Sequence, residues 1–168
     1  MKKFELTENY KMCFGRKLFQ IRALVSIKDV VESGELGGYI EKEENLSQFG
    51  KSWVSDNAQV FGNARVRGDS RVKENAYVSG NALVSGNALV SGNACVSGNA
   101  FVTENSCVTG NSRVYGNAIV YENALISGNS SVFGDLRIYG DSFVCGDSMV
   151  AGNARVFGYS RLYGDTED

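Results

Sequence analysis

From Val54 onward an aliphatic residue returns at every sixth position, through Val60, Val66 and Val72 to Val150, Val156 and Leu162 without a gap. Two places before each sits a small residue, as at Ala58, Ala64, Ser70 and Ala76. A Gly-Asn or Gly-Asp pair comes two or three places after, as at Gly62-Asn63 and Gly140-Asp141. The unit is small–x–aliphatic–x–Gly–Asn. A spacing of two puts the small and the aliphatic side chains on the same side of a short strand. The Gly-Asn pair then turns the chain. A helix needs apolar residues three and four apart, which a period of six does not supply. Strands this short are unstable alone, so the units must stack. Three units close a triangular coil, and the next coil lies about 4.8 Å further along. The pattern predicts an all-β solenoid with Val and Ala inside.

The turns carry finer information. Asp56, Glu74, Glu104 and Glu122 replace the glycine, while the following Asn or Asp persists. Glutamate at positive φ is strained. The expectation is therefore that the Asn/Asp slot takes the left-handed conformation. Stacked asparagines are expected to hydrogen-bond from coil to coil.

Before Val54 the pattern differs. In KLFQIRALVSI, Phe19, Ile21, Ala23, Val25 and Ile27 alternate with Leu18, Gln20, Arg22, Leu24 and Ser26, which predicts one longer strand. Gly34 and Gly37-Gly38 read as turns and Tyr39-Ile40 as a strand. Residues 1–50 are expected to form a small β cap, with Trp53 packed at its junction with the solenoid of residues 51–168. Leu136 replaces a small inward residue and Tyr159 a turn Asn, so the last coils are expected to be less regular. Asp165, Glu167 and Asp168 are expected to lie beside an open strand edge, where charge discourages end-to-end pairing.

VFGNARV and VSGNALV resemble the hexapeptide repeat of the left-handed parallel β-helix proteins, which include many trimeric acyltransferases. The resemblance covers residues 54–165. It implies a left-handed parallel β-helix, here of about six triangular coils, and a homotrimer. The run GELGGYIEKEENLSQFGKSWV also resembles the leader of a group of bacterial and phage hexapeptide-repeat proteins, which implies a phage or prophage origin.

Composition narrows the chemistry. The 168 residues carry a net charge of −2, with 20 glycines and neither proline nor histidine. No positive field favours extended nucleic acid or an anionic membrane. No run reads as a signal peptide or a membrane span. Cys13, Cys95, Cys107 and Cys145 lack CxxC spacing, so neither zinc nor a disulfide framework is expected. A reduced, cytoplasmic setting follows. The histidine base that hexapeptide acyltransferases typically use has no counterpart here. The acidic residues mostly occupy turn slots, no metal-ligand spacing stands out, and no cofactor is expected. Enzyme is the minority reading.

Information is left in the outward positions. Residues eighteen apart share a face. Face I carries Trp53, Arg71, Leu89, Cys107, Leu125, Phe143 and Arg161. Face II carries Arg65, Leu83, Phe101, Ile119, Arg137 and Arg155, and face III Gln59, Tyr77, Cys95, Arg113, Ser131 and Met149. Leu83, Leu89, Phe101, Cys107, Ile119, Leu125 and Phe143 thus gather on two adjoining faces, the signature of an interface. Self-association is the natural reading, and the resemblance makes it a trimer. Tyr121, Tyr139 and Phe157 align beside Arg137 and Arg155. Either this aromatic ladder stiffens the sheet, or it is a platform for a nucleotide or other planar anion. Three function classes stay open. The favoured one is a non-catalytic binding protein holding an anionic small molecule, such as a nucleotide signal sequestered in a phage–host contest. The others are a purely self-assembling scaffold and an acyltransferase-like enzyme with a non-histidine base.

Overall fold

The computed structural model describes residues 2–164 as an all-β parallel solenoid; Asp165, Glu167 and Asp168 lie outside the described residues. Each six-residue unit contributes a short strand, typically the aliphatic residue and the one before it, such as Leu83–Val84, Leu89–Val90 and Cys95–Val96. Each strand pairs in parallel with those eighteen residues away, so Leu89 lies between Arg71 and Cys107. Three sheets result, of seven strands on face I, six on face II and nine on face III. The outward residue's N–H donates to a carbonyl one coil on, as Gln59 N to Ala76 O and Leu83 N to Ala100 O, both at 2.9 Å. The inward valines and alanines from Val54 to Val144 are shut off from solvent. Serine substitutes for alanine because its hydroxyl finds a partner inside: Ser70 Oγ donates to Arg67 O at 2.8 Å, and Ser106 Oγ to Thr103 O at 2.6 Å.

The solenoid begins earlier than the period of six indicates. Strands β1 (Phe4–Cys13), β2 (Arg16–Ala23) and β3 (Leu36–Ile40) run antiparallel in that order. Then β3 pairs in parallel with Gln59 and Val60, Leu46 bridges Val66, and Trp53–Val54 pairs with Arg71–Val72. These three rungs form a coil of their own, so the coils among the described residues number seven, one more than expected. Phe4 meets Trp53 edge-on at 6.5 Å. Strand β1 was not expected, although Phe4, Leu6, Tyr10 and Met12 alternate along it. Gly37 and Gly38 form no turn. They lie inside β3, where added Cβ atoms would fall 2.6 Å from Val54 O and 2.7 Å from Ala58 O. In β2, Leu18 is buried and Phe19 only half-buried, because the β2–β3 register shifts between Gln20 and Arg22.

The turn assignment is corrected by the backbone. The glycine slot, and not the Asn/Asp slot, takes positive φ: Gly80 at 67°, Gly86 at 64° and Gly92 at 70°. Asp56, Glu74, Glu104 and Glu122 adopt it too, at 55° to 61°. In the first three the carboxylate offsets the strain. Asp56 Oδ2 accepts from Glu74 N at 2.9 Å, Glu74 Oε2 from Gly92 N at 2.7 Å, and Glu104 Oε2 from Glu122 N at 3.0 Å. Such charge-assisted bonds offset a strain of roughly 1–2 kcal/mol per residue. The asparagines persist for the reason expected second, the inter-coil ladder: Asn81 Nδ2 donates to Asn99 Oδ1 at 2.9 Å and Asn99 Nδ2 to Asn117 Oδ1 at 3.0 Å. All three ladders reach an aspartate in one stretch of chain, Asp135, Asp141 and Asp147. A carboxylate has no donor to pass on.

Lys3 is buried at 4% exposure, its Nζ donating to Ser52 O at 2.7 Å and Ser52 Oγ at 3.2 Å. Burial pulls its pKa down to about 8, against the opposing pull of Asp69. The folded chain therefore holds fewer protons than the unfolded one between that value and the model-peptide value of about 10.4. Stability gains from this group as pH rises through the window, and the gain vanishes below it. Burial raises the Cys95 and Cys107 thiols, which acts in the opposite sense. Urea midpoints should rise less with pH, or fall more, in Lys3→Met than in the native chain. Identical pH profiles would contradict this account.

Candidate functional site

Turn chemistry fixes which side chains point outward, and the faces assemble as the eighteen-residue register requires. On face I, Leu89, Cys107, Leu125 and Phe143 occupy four successive rungs, each half-buried. On face II, Leu83, Phe101 and Ile119 occupy three, with Phe101 exposed at 41%. The seven expected interface residues are thus brought into two stripes, one on each face. Shallow grooves flank them. One on face II is lined by Asn63, Arg65, Arg67, Asn81, Leu83 and Phe101, and one on face I by residues including Leu125, Phe143, Arg161 and Tyr163.

The aromatic ladder forms at the corner between faces II and I. Tyr121 and Tyr139 stack at 4.8 Å and 14°, and Tyr139 and Phe157 at 5.6 Å and 16°. The rings occupy one another's inner faces, so no slot between them admits a planar guest. The exposed outer face of Phe157 is the ladder's free stacking surface at that end. Burial, then the neighbouring Tyr139 and Glu122, raise the Tyr121 phenol, against the pull of Arg137 and Arg155. Arg137 and Arg155 pair in register, each two residues before a ring of the ladder. A second ladder, Tyr115 on Phe133 at 4.8 Å, escaped the sequence reading, although the eighteen-residue spacing that found the first also aligns this pair.

The solenoid arginines stand apart from the usual surface pattern. Among the described residues, Arg65, Arg67, Arg71, Arg113, Arg137, Arg155 and Arg161 form no salt bridge. Arg71 Nε is buried and unpartnered, as is Gln59 Oε1. The serine and threonine columns bond to each other, Ser85 Oγ to Thr103 Oγ1 at 2.9 Å and Ser91 Oγ to Thr109 Oγ1 at 3.1 Å. All four cysteines are free thiols. No group of three or more His, Cys, Asp or Glu side chains with metal-binding geometry occurs among the described residues. No helix there is long and apolar enough to cross a membrane.

Three segments, residues 58–74, 76–92 and 112–128, match the repeat described as YdcK Beta solenoid repeat. Each match falls one residue short of a coil. No curated protein matches the chain. The matched repeats and the parallel coils together make this a repeat β-solenoid protein.

Proposed function

We propose that this protein is a non-catalytic interaction module that pairs with a second copy of itself through face I. The observation that carries the reading is the stripe Leu89–Cys107–Leu125–Phe143, four apolar side chains in a row at a position the repeat leaves free to vary. A two-fold axis sets such a stripe against itself. Seven rungs at about 4.8 Å, with strands and turns about 16 Å wide, give roughly 1,000 Å² of buried surface for the pair. That is the lower bound for a specific interface. Burying each large apolar side chain contributes about 1.5–3 kcal/mol before association costs.

Face II is less suited to self-pairing, because its apolar stripe is one rung shorter and its outward positions carry four arginines where those of face I carry two, Arg71 and Arg161. A ring of copies that used both stripes would set that face against face I, whose stripe is itself bounded by Arg71 and Arg161. Light scattering at micromolar concentration tests the proposal. The native chain should give twice the monomer mass. Leu125→Glu should weaken pairing at least tenfold with the circular dichroism spectrum unchanged, and Arg113→Glu on face III should leave it intact. A monomeric native chain, or a trimeric mass, would overturn the face I pair.

A further inference from the structure

Face II gathers positive charge on an acidic chain. Each rung shows three outward positions: the turn Asn or Asp, the residue before the aliphatic one and the residue after it. From Asn63 to Phe157 these positions on face II hold Arg65, Arg67, Arg137 and Arg155 against Asp135; with Glu104 and Glu122 at the corner toward face I the balance is 4 − 3 = +1, while the chain as a whole carries −2. The matching positions of face III hold Arg113 against Asp147 and are neutral. Among the described residues none of the four face II arginines is in a salt bridge, and Asp135 is engaged by the Asn117 amide at 2.7 Å.

The charge is also divided. Arg65 and Arg67 lie on one rung, Arg137 and Arg155 on two successive rungs further down. Leu83, Phe101 and Ile119 fill the rungs between. Four inter-rung steps separate Arg65 from Arg137, about 19 Å at about 4.8 Å each. The groove lined by Arg65, Arg67, Leu83 and Phe101 joins the upper cluster to the apolar rungs.

We infer that face II docks an acidic polypeptide segment of a partner protein. The segment lies along the solenoid axis, with carboxylates at both ends and apolar side chains between them. An extended chain spans the gap with about six residues at about 3.3 Å each. Arginine forks receive carboxylates in pairs, and Phe101 and its neighbours receive the apolar side chains. A single-stranded nucleic acid fits less well, because it carries phosphate on every nucleotide and the three middle rungs offer no cation. The inference does not depend on the face I pair, since that pairing leaves face II free.

The test uses the fluorescein-labelled peptide Glu-Glu-Leu-Ser-Phe-Ser-Leu-Glu-Glu in an anisotropy titration against the full chain. Saturable binding is expected, weakening as salt rises. Arg65→Glu with Arg67→Glu, and separately Arg137→Glu with Arg155→Glu, should each weaken it at least tenfold. Phe101→Ala should weaken it severalfold. Arg113→Glu and Leu125→Glu should bind as the native chain does, and a peptide with lysine for glutamate should not bind. Circular dichroism establishes that each variant is folded. Absence of saturable binding by the native chain would overturn the inference, as would unchanged affinity in both double variants. Tighter binding of an oligo-uridine of similar length would replace the acidic peptide with nucleic acid.

Discussion

Replacing Gly86 with valine is expected to cost about 3 kcal/mol of stability, whereas replacing Glu104 with glycine in the same slot one coil on should cost less than about 1 kcal/mol. Gly86 has φ 64°, and a Cβ there would fall 2.6 Å from Glu104 N and 2.8 Å from Glu104 Cα. Both atoms belong to the backbone, so the coil itself must shift. A β-branched side chain in the left-handed region is strained by roughly 1–2 kcal/mol, and the collision adds a similar amount. Glu104 adopts the same conformation at φ 60°, but its carboxylate accepts from Glu122 N at 3.0 Å. Glycine there relieves the strain, loses that bond and frees the unfolded chain, three changes that nearly cancel. Urea midpoints of the two variants read the contrast. Equal losses would mean that the slot is not set by φ, and a large loss for Glu104→Gly alone would make the carboxylate bond the dominant effect.

The same slot shows where the sequence was legible and where it was not. A period of six with Ala and Val two apart determines a strand, an inward face and a coil, because side-chain alternation leaves no other arrangement. The turn conformation was misread because glutamate's strain was counted without a partner for its carboxylate. That partner, the amide one coil on, becomes visible only once the coils are stacked. Asparagine persists because Asn81, Asn99 and their counterparts bond along the axis. The residues before Val54 follow no period. There β1 was missed, and Gly37-Gly38 read as a turn, because a glycine needed for close approach and one needed for a bend look alike in sequence.

Function was legible only as position. The eighteen-residue step placed Leu89, Cys107, Leu125 and Phe143 on one face and aligned Tyr121, Tyr139 and Phe157, as they stand in the folded chain. It could not show that the rings would use up one another's inner faces. Nor could it show that the solenoid arginines lack salt-bridge partners among the described residues, since acidic residues are plentiful in sequence and their distances depend on turn geometry. That pairing deficit, more than any motif, directs attention to face II.

Leu136→Ala should cost about 2–4 kcal/mol and should act on one end of the molecule. In its column the inward residue is alanine at 64, 82, 100 and 118, and leucine only at 136; all five are shut off from solvent. One coil further on, Ala154 is exposed, and Val150, Val156 and Leu162 are only part-buried. The large side chain therefore stands where the interior stops being covered by a following coil, and fills space that inner coils share among small residues. Truncation removes buried methyl groups and leaves a void beside an end that is already loosely packed. Because each coil touches only its neighbours, the loss should stay local. Hydrogen exchange at the amides of residues 137–163 should accelerate, while those of Val84 and Val90 hold their protection. The reciprocal change, Ala118→Leu, should cost about 1–3 kcal/mol by overpacking, since the coils on both sides of it are closed. If Leu136→Ala instead lowered protection evenly along the chain, the coils would behave as one cooperative block and Leu136 would not be an end-specific filler.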